Sequence, residues 1–162
     1  MKIAVLADTH MTRKRTRCPE VLLRHLKDAD VILHAGDWQT YEVYQWLSTY
    51  APVYGVYGNT DGEDILRQFD SRCVLELKGF RIGIIHGDGK GQTTEKRALK
   101  AFEGESLDCI IYGHSHIPVL KYLSGSLLLN PGSPTDKRRR LMYSFAIIRL
   151  DDVMHAEHVF FL

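Results

Sequence analysis

Residues 2–10 read KIAVLADTH, an apolar run without alternation that breaks at once into an acid and an imidazole two positions apart. A strand buried on both faces, as in a parallel sheet under helices, has this continuous pattern, and DVILHA at 30–35 repeats it. Strands are therefore expected at Lys2–Ala7, Asp30–His34 and Pro52–Tyr57. Between them, PEVLLRHLKDA (19–29) opens on Pro19 and places Val21, Leu22, Leu26 and Ala29 on one face. TYEVYQWLSTY (40–50) follows Thr40, a residue able to cap a helix, and groups Val43, Trp46 and Leu47. The order β-α-β-α-β makes the N-terminal half read as doubly wound.

Beyond it, RCVLELKG and FRIGIIHG suit a hairpin turning at Gly79, TEKRALKAFEG suits a helix starting near Thr93, and LDCIIYG returns to strand. After Pro118 four strand-like runs follow with only turns between them, which reads as an antiparallel meander forming or completing a second sheet. No repeat, low-complexity tract or Pro/Gly/Ser linker divides the chain, so residues 1–162 are expected to form one domain.

The composition excludes several classes. With 44% hydrophobic and 25% charged residues and a formal net charge of +1, the 162-residue chain is neither a disordered, a membrane-surface nor a general nucleic-acid-binding protein. KIAVLA is too short for a signal-peptide core, and no run approaches the ~18 apolar residues of a spanning helix. Cys18, Cys73 and Cys109 form no C-x-x-C pair and are odd in number, so reduced thiols in a cytoplasmic setting are expected.

The residues just past each strand are unusually uniform. Asp8-Thr9-His10 follows the first, Gly36-Asp37 the second, Gly58-Asn59-Thr60-Asp61 the third, His86-Gly87-Asp88 the run IGII, and Gly113-His114-Ser115-His116 the run CIIY. Ligands in α/β sheets bind beyond the carboxyl ends of strands, and residues i and i+2 of an extended chain point the same way. Asp8 with His10, and His114 with His116, can each converge, while Gly36, Gly58 and Gly113 supply sharp turns and room for a ligand. An oxygen and imidazole set without thiolates suits Mn, Fe, Co, Ni or Zn rather than Mg or Ca. Seven such residues, Asp8, His10, Asp37, Asn59, His86, His114 and His116, exceed the needs of one ion. They suit a pair ~3.5–4 Å apart, bridged by a carboxylate and a hydroxide.

The ordered set D-x-H, G-D, G-N-x-D, a lone His and G-H-x-H resembles the calcineurin-like metallophosphoesterases. With the short chain and NPGSP at 130–134, it is most similar to their small bacterial and archaeal phosphodiesterase branch. The resemblance implies an α/β fold, a two-sheet β-sandwich flanked by helices (α/β/β/α). It also implies one ion held by Asp8, His10, Asp37 and His116, a second by Asp37, Asn59, His86 and His114, and Asp37 as the bridge. Manganese is the first expectation for the two divalent ions, with Ni, Co, Fe or Zn as alternatives.

Two divalent ions less the charges of Asp8, Asp37 and a bridging hydroxide leave one positive unit, which suits hydroxide attack on a phosphate ester. Asn59 and Asp61 are the catalytic candidates: Asn59 as ligand and phosphate donor, Asp61 as a support for His10 or a ligand water, or alternatively as N-cap of GEDILRQF. Thr60 stands where many members of the family carry a phosphate-contacting histidine, so esters with good leaving groups should be favoured. His34 reads either as a core residue or as a buttress of the Asp37 turn. HGDGKGQTT lacks the P-loop register and reads as a surface turn. DKRRR (136–140) is either a solvated loop or, through Arg138, a holder of substrate phosphate. A small phosphodiester is the expected substrate, without membrane association, and a homo-oligomer is compatible with the sequence. The alternatives are a phosphomonoesterase or a non-catalytic scaffold like the retromer subunit of similar fold, whose metal site is degraded. A flavodoxin-like nucleotide switch is a third reading that the histidines oppose.

Overall fold

The structure, a computed structural model, describes residues 1–11 and 18–162. Strands β1 (Lys2–Leu6), β2 (Val31–His34) and β3 (Val53–Gly55) are parallel neighbours, joined by α1 (Glu20–Leu26) and α2 (Tyr41–Leu47). After α3 (Glu63–Gln68) the chain builds a second sheet from β4 (Arg72–Leu77), β5 (Phe80–Ile85), β6 (Cys109–Tyr112), β7 (Val119–Leu123) and β8 (Ser126–Asn130), with α4 (Thr94–Ala101) between β5 and β6. It then returns to the first sheet as β9 (Tyr143–Leu150) and β10 (Met154–Phe161). The strand orders are β10-β9-β1-β2-β3 and β4-β5-β6-β8-β7.

Three apolar layers hold these sheets. Ile3, Val5, Leu33, Ile82, Ile84, Ile111, Leu129 and Ile148 meet between them. Ala4, Leu6 and Ile32, on the opposite face of the first sheet, pack under Leu22 and Leu26 of α1 and Val43 and Leu47 of α2. Ile110, Tyr112 and Leu128 pack under Ala98 of α4 and Phe102 just after it. Each buried aliphatic side chain removes apolar surface worth about 1.5–3 kcal/mol from water. The expected α/β/β/α sandwich is therefore the fold.

Two sequence readings are corrected. The N-terminal half is not doubly wound: its strands advance in one direction, β1-β2-β3, so α1 and α2 share one layer, and the other face of the sheet is covered by the second sheet. The four C-terminal runs are not one meander but two hairpins in different sheets, β7-β8 beside β6 and β9-β10 beside β1. The segment after Asn130 crosses between the sheets, which is what brings it to the strand ends. Expected local signals fare better. Lys78 and Gly79 form the two-residue hairpin turn with φ of 52° and 81°, and the Thr93 hydroxyl accepts from Lys96 N at 3.3 Å to cap α4. Thr40 occupies the N-cap of α2, but its hydroxyl donates to Met11 O instead of capping. The three cysteines are free thiols. Among the described residues no helix is long and apolar enough to cross a membrane.

Candidate metal centre

The carboxyl ends of β1, β2 and β3 from one sheet and of β5 and β6 from the other deliver the seven candidate ligands to one edge of the sandwich. Asp8, Asp37, His86 and His116 are buried, and His10 and His114 are partly exposed. Convergence does not come from extended backbone. Asp8, His10, Asp37, His114 and His116 have φ of 52°, 42°, 59°, 66° and 56°, a left-handed conformation that is costly for residues with a Cβ. The chain folds back on itself at each turn, and neighbouring groups hold it there.

One half of the site gathers His10, His116 and Asp8. The two Nε2 atoms face each other at 3.3 Å, and His116 Nε2 lies 3.5 Å from Asp8 Oδ1. His116 Nδ1 donates to the carbonyl of Asp136 at 2.5 Å, which leaves its Nε2 bare, and burial pushes its pKa down to about 4. The other half gathers His86, His114 and Asn59. Asn59 Oδ1 lies 3.2 Å from His86 Nε2 and 3.0 Å from His114 Nδ1, while His86 Nδ1 donates to Ala35 O at 2.8 Å. Asp37 Oδ2 is the atom both halves share, 3.6 Å from His10 Nε2 and 3.3 Å from His86 Nε2. Asp8 spans the two halves as well, belonging both to the His10–His116 group and to a group with Asp37 and His86.

The electrostatics are those of a site short of positive charge. Burial raises the Asp8 carboxyl to about 8, and its Oδ2 is buried with no hydrogen-bond partner. Burial opposes a charged His86, but the hydrogen bond to Asp37 and the charge of Asp8 outweigh it and push the imidazole up to about 9. Burial also acts against the Asp37 anion, yet His86 and the Thr60 N–H hold its pKa below the ordinary carboxylate value. A bare His116 nitrogen facing a second imidazole and an orphaned buried carboxylate oxygen are what divalent cations would satisfy, so the residues fit such ions.

Supporting groups explain the geometry. Asp61 neither reaches His10 nor caps α3: its Oδ2 accepts from Asp37 N (3.0 Å) and Gly58 N (2.8 Å), and its Oδ1 from Gln39 N (2.8 Å). Thr60 donates its backbone N–H to Asp37 Oδ1 at 3.0 Å and sets its hydroxyl 3.5 Å from His10 Nδ1. His34 is a buttress. Its Nδ1 accepts from Gly36 N, its Nε2 lies 3.1 Å from the Thr9 hydroxyl, and its ring stacks on Trp38 at 3.7 Å. Gly36 is required at φ 90°, and a Cβ on Gly58 would collide with the Asp37 carboxylate.

Sequence reasoning missed the clamp in NPGSPTD. Ser133 donates to Asp8 O at 2.7 Å and accepts from Asp136 N, Thr135 donates to Thr9 O, and Asn130 Nδ2 donates to Gly113 O and Ser115 Oγ. The motif was visible as a Pro-Gly turn with flanking hydroxyls, but its partners lie more than 100 residues away for the Asp8 and Thr9 loops. Arg138, the other expected phosphate holder, sits exposed just beyond this clamp.

A family model described as a calcineurin-like phosphoesterase superfamily domain matches residues 1–153. A protein of Methanothermobacter thermautotrophicus named "Probable metallophosphoesterase" is 39% identical over 140 residues, 85% of this chain and 80% of that one. A phosphodiesterase of Methanocaldococcus jannaschii is 26% identical over 144 residues, covering 82% and 83% of the two chains. The crystal structure of a single mutant of Vps29 from Entamoeba histolytica superposes with a TM-score of 0.78 over 100% of both chains at 24% identity, a likeness of fold.

Proposed function

The chain belongs to the calcineurin-like phosphoesterase superfamily, and from that premise we propose that it is a dinuclear metal-dependent phosphodiesterase acting on a small phosphodiester. The observation that carries this reading is the approach of His10 and His86, from opposite halves of the site, to the single oxygen Asp37 Oδ2. One carboxylate oxygen flanked by two imidazoles suits a bridge between two ions, and the remaining donors divide into two sets of like size. When bound, two divalent ions, with manganese the first choice, would supply charge for the phosphate and acidify a water to serve as the nucleophile.

The chain's own residues do the rest. His86 and His116 have their Nδ1 protons fixed by the carbonyls of Ala35 and Asp136, so each presents Nε2 to the centre. Asn59 turns its carbonyl oxygen inward, which leaves its amide hydrogens for a phosphate oxygen. Thr60 offers a hydroxyl beside His10, a weak acid, so the leaving group departs with little protonation. The phosphodiesterase of M. jannaschii supports the preference for diesters.

The test is metal content after reconstitution with Mn²⁺, followed by hydrolysis of bis-p-nitrophenyl phosphate and p-nitrophenyl phosphate. Bound metal with faster diester turnover supports the proposal. Faster monoester turnover makes the protein a phosphomonoesterase, and neither metal nor turnover leaves a scaffold.

A further inference from the structure

The loop that clamps Asp8 and His116 continues into three consecutive arginines, and their placement is not used by the chemistry of the metal centre. A groove of about 350 Å³ opens beside the centre, lined by Ser115, His116, Ile117, Arg138, Arg139 and Arg140. Its volume lies in the range of small-ligand sites. The arginines are exposed, and none of the three side chains has a carboxylate within ion-pair distance among the described residues. The nearby base Lys137, by contrast, is occupied: its Nζ donates to Leu141 O and lies over the Tyr143 ring.

The arginine loop is held in register with the centre. His116 donates to Asp136 O, Asp136 Oδ1 accepts from Arg138 N at 3.3 Å, and Arg140 N donates to Lys137 O at 2.8 Å. The carbonyl that fixes the His116 ring belongs to Asp136, and the first guanidinium to Arg138, so the groove and the centre form one continuous surface.

A simple diester carries one negative charge at the reacting phosphorus, and that charge is matched by the single positive unit of a loaded centre. Three guanidiniums beyond it then have nothing to bind. Arginine's planar fork suits a phosphate dianion, which can accept from more than one of them at once. Resting on the phosphodiesterase reading, we propose that this groove binds a second phosphate on the non-reacting part of the substrate. The preferred substrates are then diesters of alcohols that already carry a terminal phosphate.

A matched pair tests this: thymidine 5′-(p-nitrophenyl phosphate) with a 3′-phosphate or a 3′-hydroxyl, assayed with the Mn²⁺-loaded protein. The 3′-phosphate should raise kcat/KM at least about tenfold, the scale of one charge-assisted hydrogen bond. R138A/R139A/R140A should bring that ratio to near one, and the triple lysine variant should keep part of it. Because the ratio is internal to each protein, a partly misfolded variant still reports. A second pair, p-nitrophenyl diesters of 1,4-butanediol with and without a terminal phosphate, separates the sources. A gain with both pairs means any phosphorylated alcohol, and a gain with the thymidine pair alone means a nucleotide; either supports the groove. Equal rates within both pairs, or a gain that survives the triple alanine variant, overturn it. If no diester is cleaved, the phosphodiesterase reading has failed separately, and the groove is judged by calorimetry. Thymidine 3′,5′-bisphosphate should bind the wild type about tenfold more tightly than thymidine 5′-monophosphate but lose that advantage in the triple alanine variant, whereas equal binding overturns the proposal.

Discussion

The backbone N–H of Asp37 donates to Asp61 Oδ2 at 3.0 Å, and the same oxygen accepts from Gly58 N at 2.8 Å. One carboxylate thus ties the turn after β2 to the turn after β3, and with Oδ1 on Gln39 N it fixes the left-handed backbone on both sides of Trp38. Asp61→Ala should leave three backbone donors without this acceptor, costing about 3 kcal/mol of stability and ~10–100-fold in metal affinity. Asp61→Asn, which keeps one acceptor oxygen, should fall between. Thermal melts and metal titrations read both quantities, and a wild-type metal affinity in Asp61→Ala would refute the role.

Asp37→Asn replaces the shared anion with an amide that bridges two cations poorly. Metal stoichiometry should drop from two toward one, and turnover should fall by more than the ~10–100-fold typical of losing a supporting group. Elemental analysis beside initial rates checks this; retained activity at full stoichiometry would contradict the bridge.

Gly58→Ala should disable the centre while leaving the apolar layers intact. The added Cβ would collide with Asp37 Oδ1 and stand 2.5 Å from Asp37 N, so the Asp37 carboxylate must move. A far-ultraviolet spectrum like the wild type's with metal binding weakened at least about tenfold is the expected result.

The metal-free protein should lose stability as pH rises from about 6.5 to 9. Asp8 is raised to about 8, so the folded state holds a proton there that the unfolded chain gives up near its ordinary 3.8, and this advantage fades up to pH 8. His86 is raised from 6.5 to about 9, so its contribution is complete below 6.5 and gone above 9. Divalent ions displace both protons, so the gain in melting temperature on adding Mn²⁺ should grow across the same window. Melts with EDTA and with Mn²⁺ at half-unit pH steps would reveal it, and a gain independent of pH would count against Asp8 and His86 as ligands.

Thr60 beside His10 predicts strong dependence on the leaving group. Along a series of aryl to alkyl methylphosphonate esters, kcat should fall steeply as the alcohol becomes less acidic, and Thr60→His should flatten the slope. Equal turnover across the series would exclude the idea.

The residues of the site were legible in the sequence because each comes just after a short apolar run that reads as a strand, and a polar group at a buried strand end needs a partner. KIAVLA announces Asp8 and His10, and CIIY announces His114 and His116, without knowledge of any contact. The hairpin at Lys78-Gly79 and the Thr93 cap were equally local, set by φ preference and a single hydroxyl. Sequence spacing did not reveal that the paired side chains converge through left-handed turns, because a positive φ at Asp8 or His116 is held by partners far along the chain.

The sequence by itself determined the set of strands, their buried faces and the polar side chains at their ends, since these depend on hydrophobic pattern and side-chain chemistry over a few residues. Only the tertiary structure decided that the last four strands divide between two sheets and that Asp61 serves the Asp37 backbone. It alone also set Ser133 and Asp136 as clamps on Asp8 and His116, with three arginines beside the centre. Those outcomes depend on which distant backbone groups are left unpaired when the two sheets close on each other, a condition that no local pattern encodes.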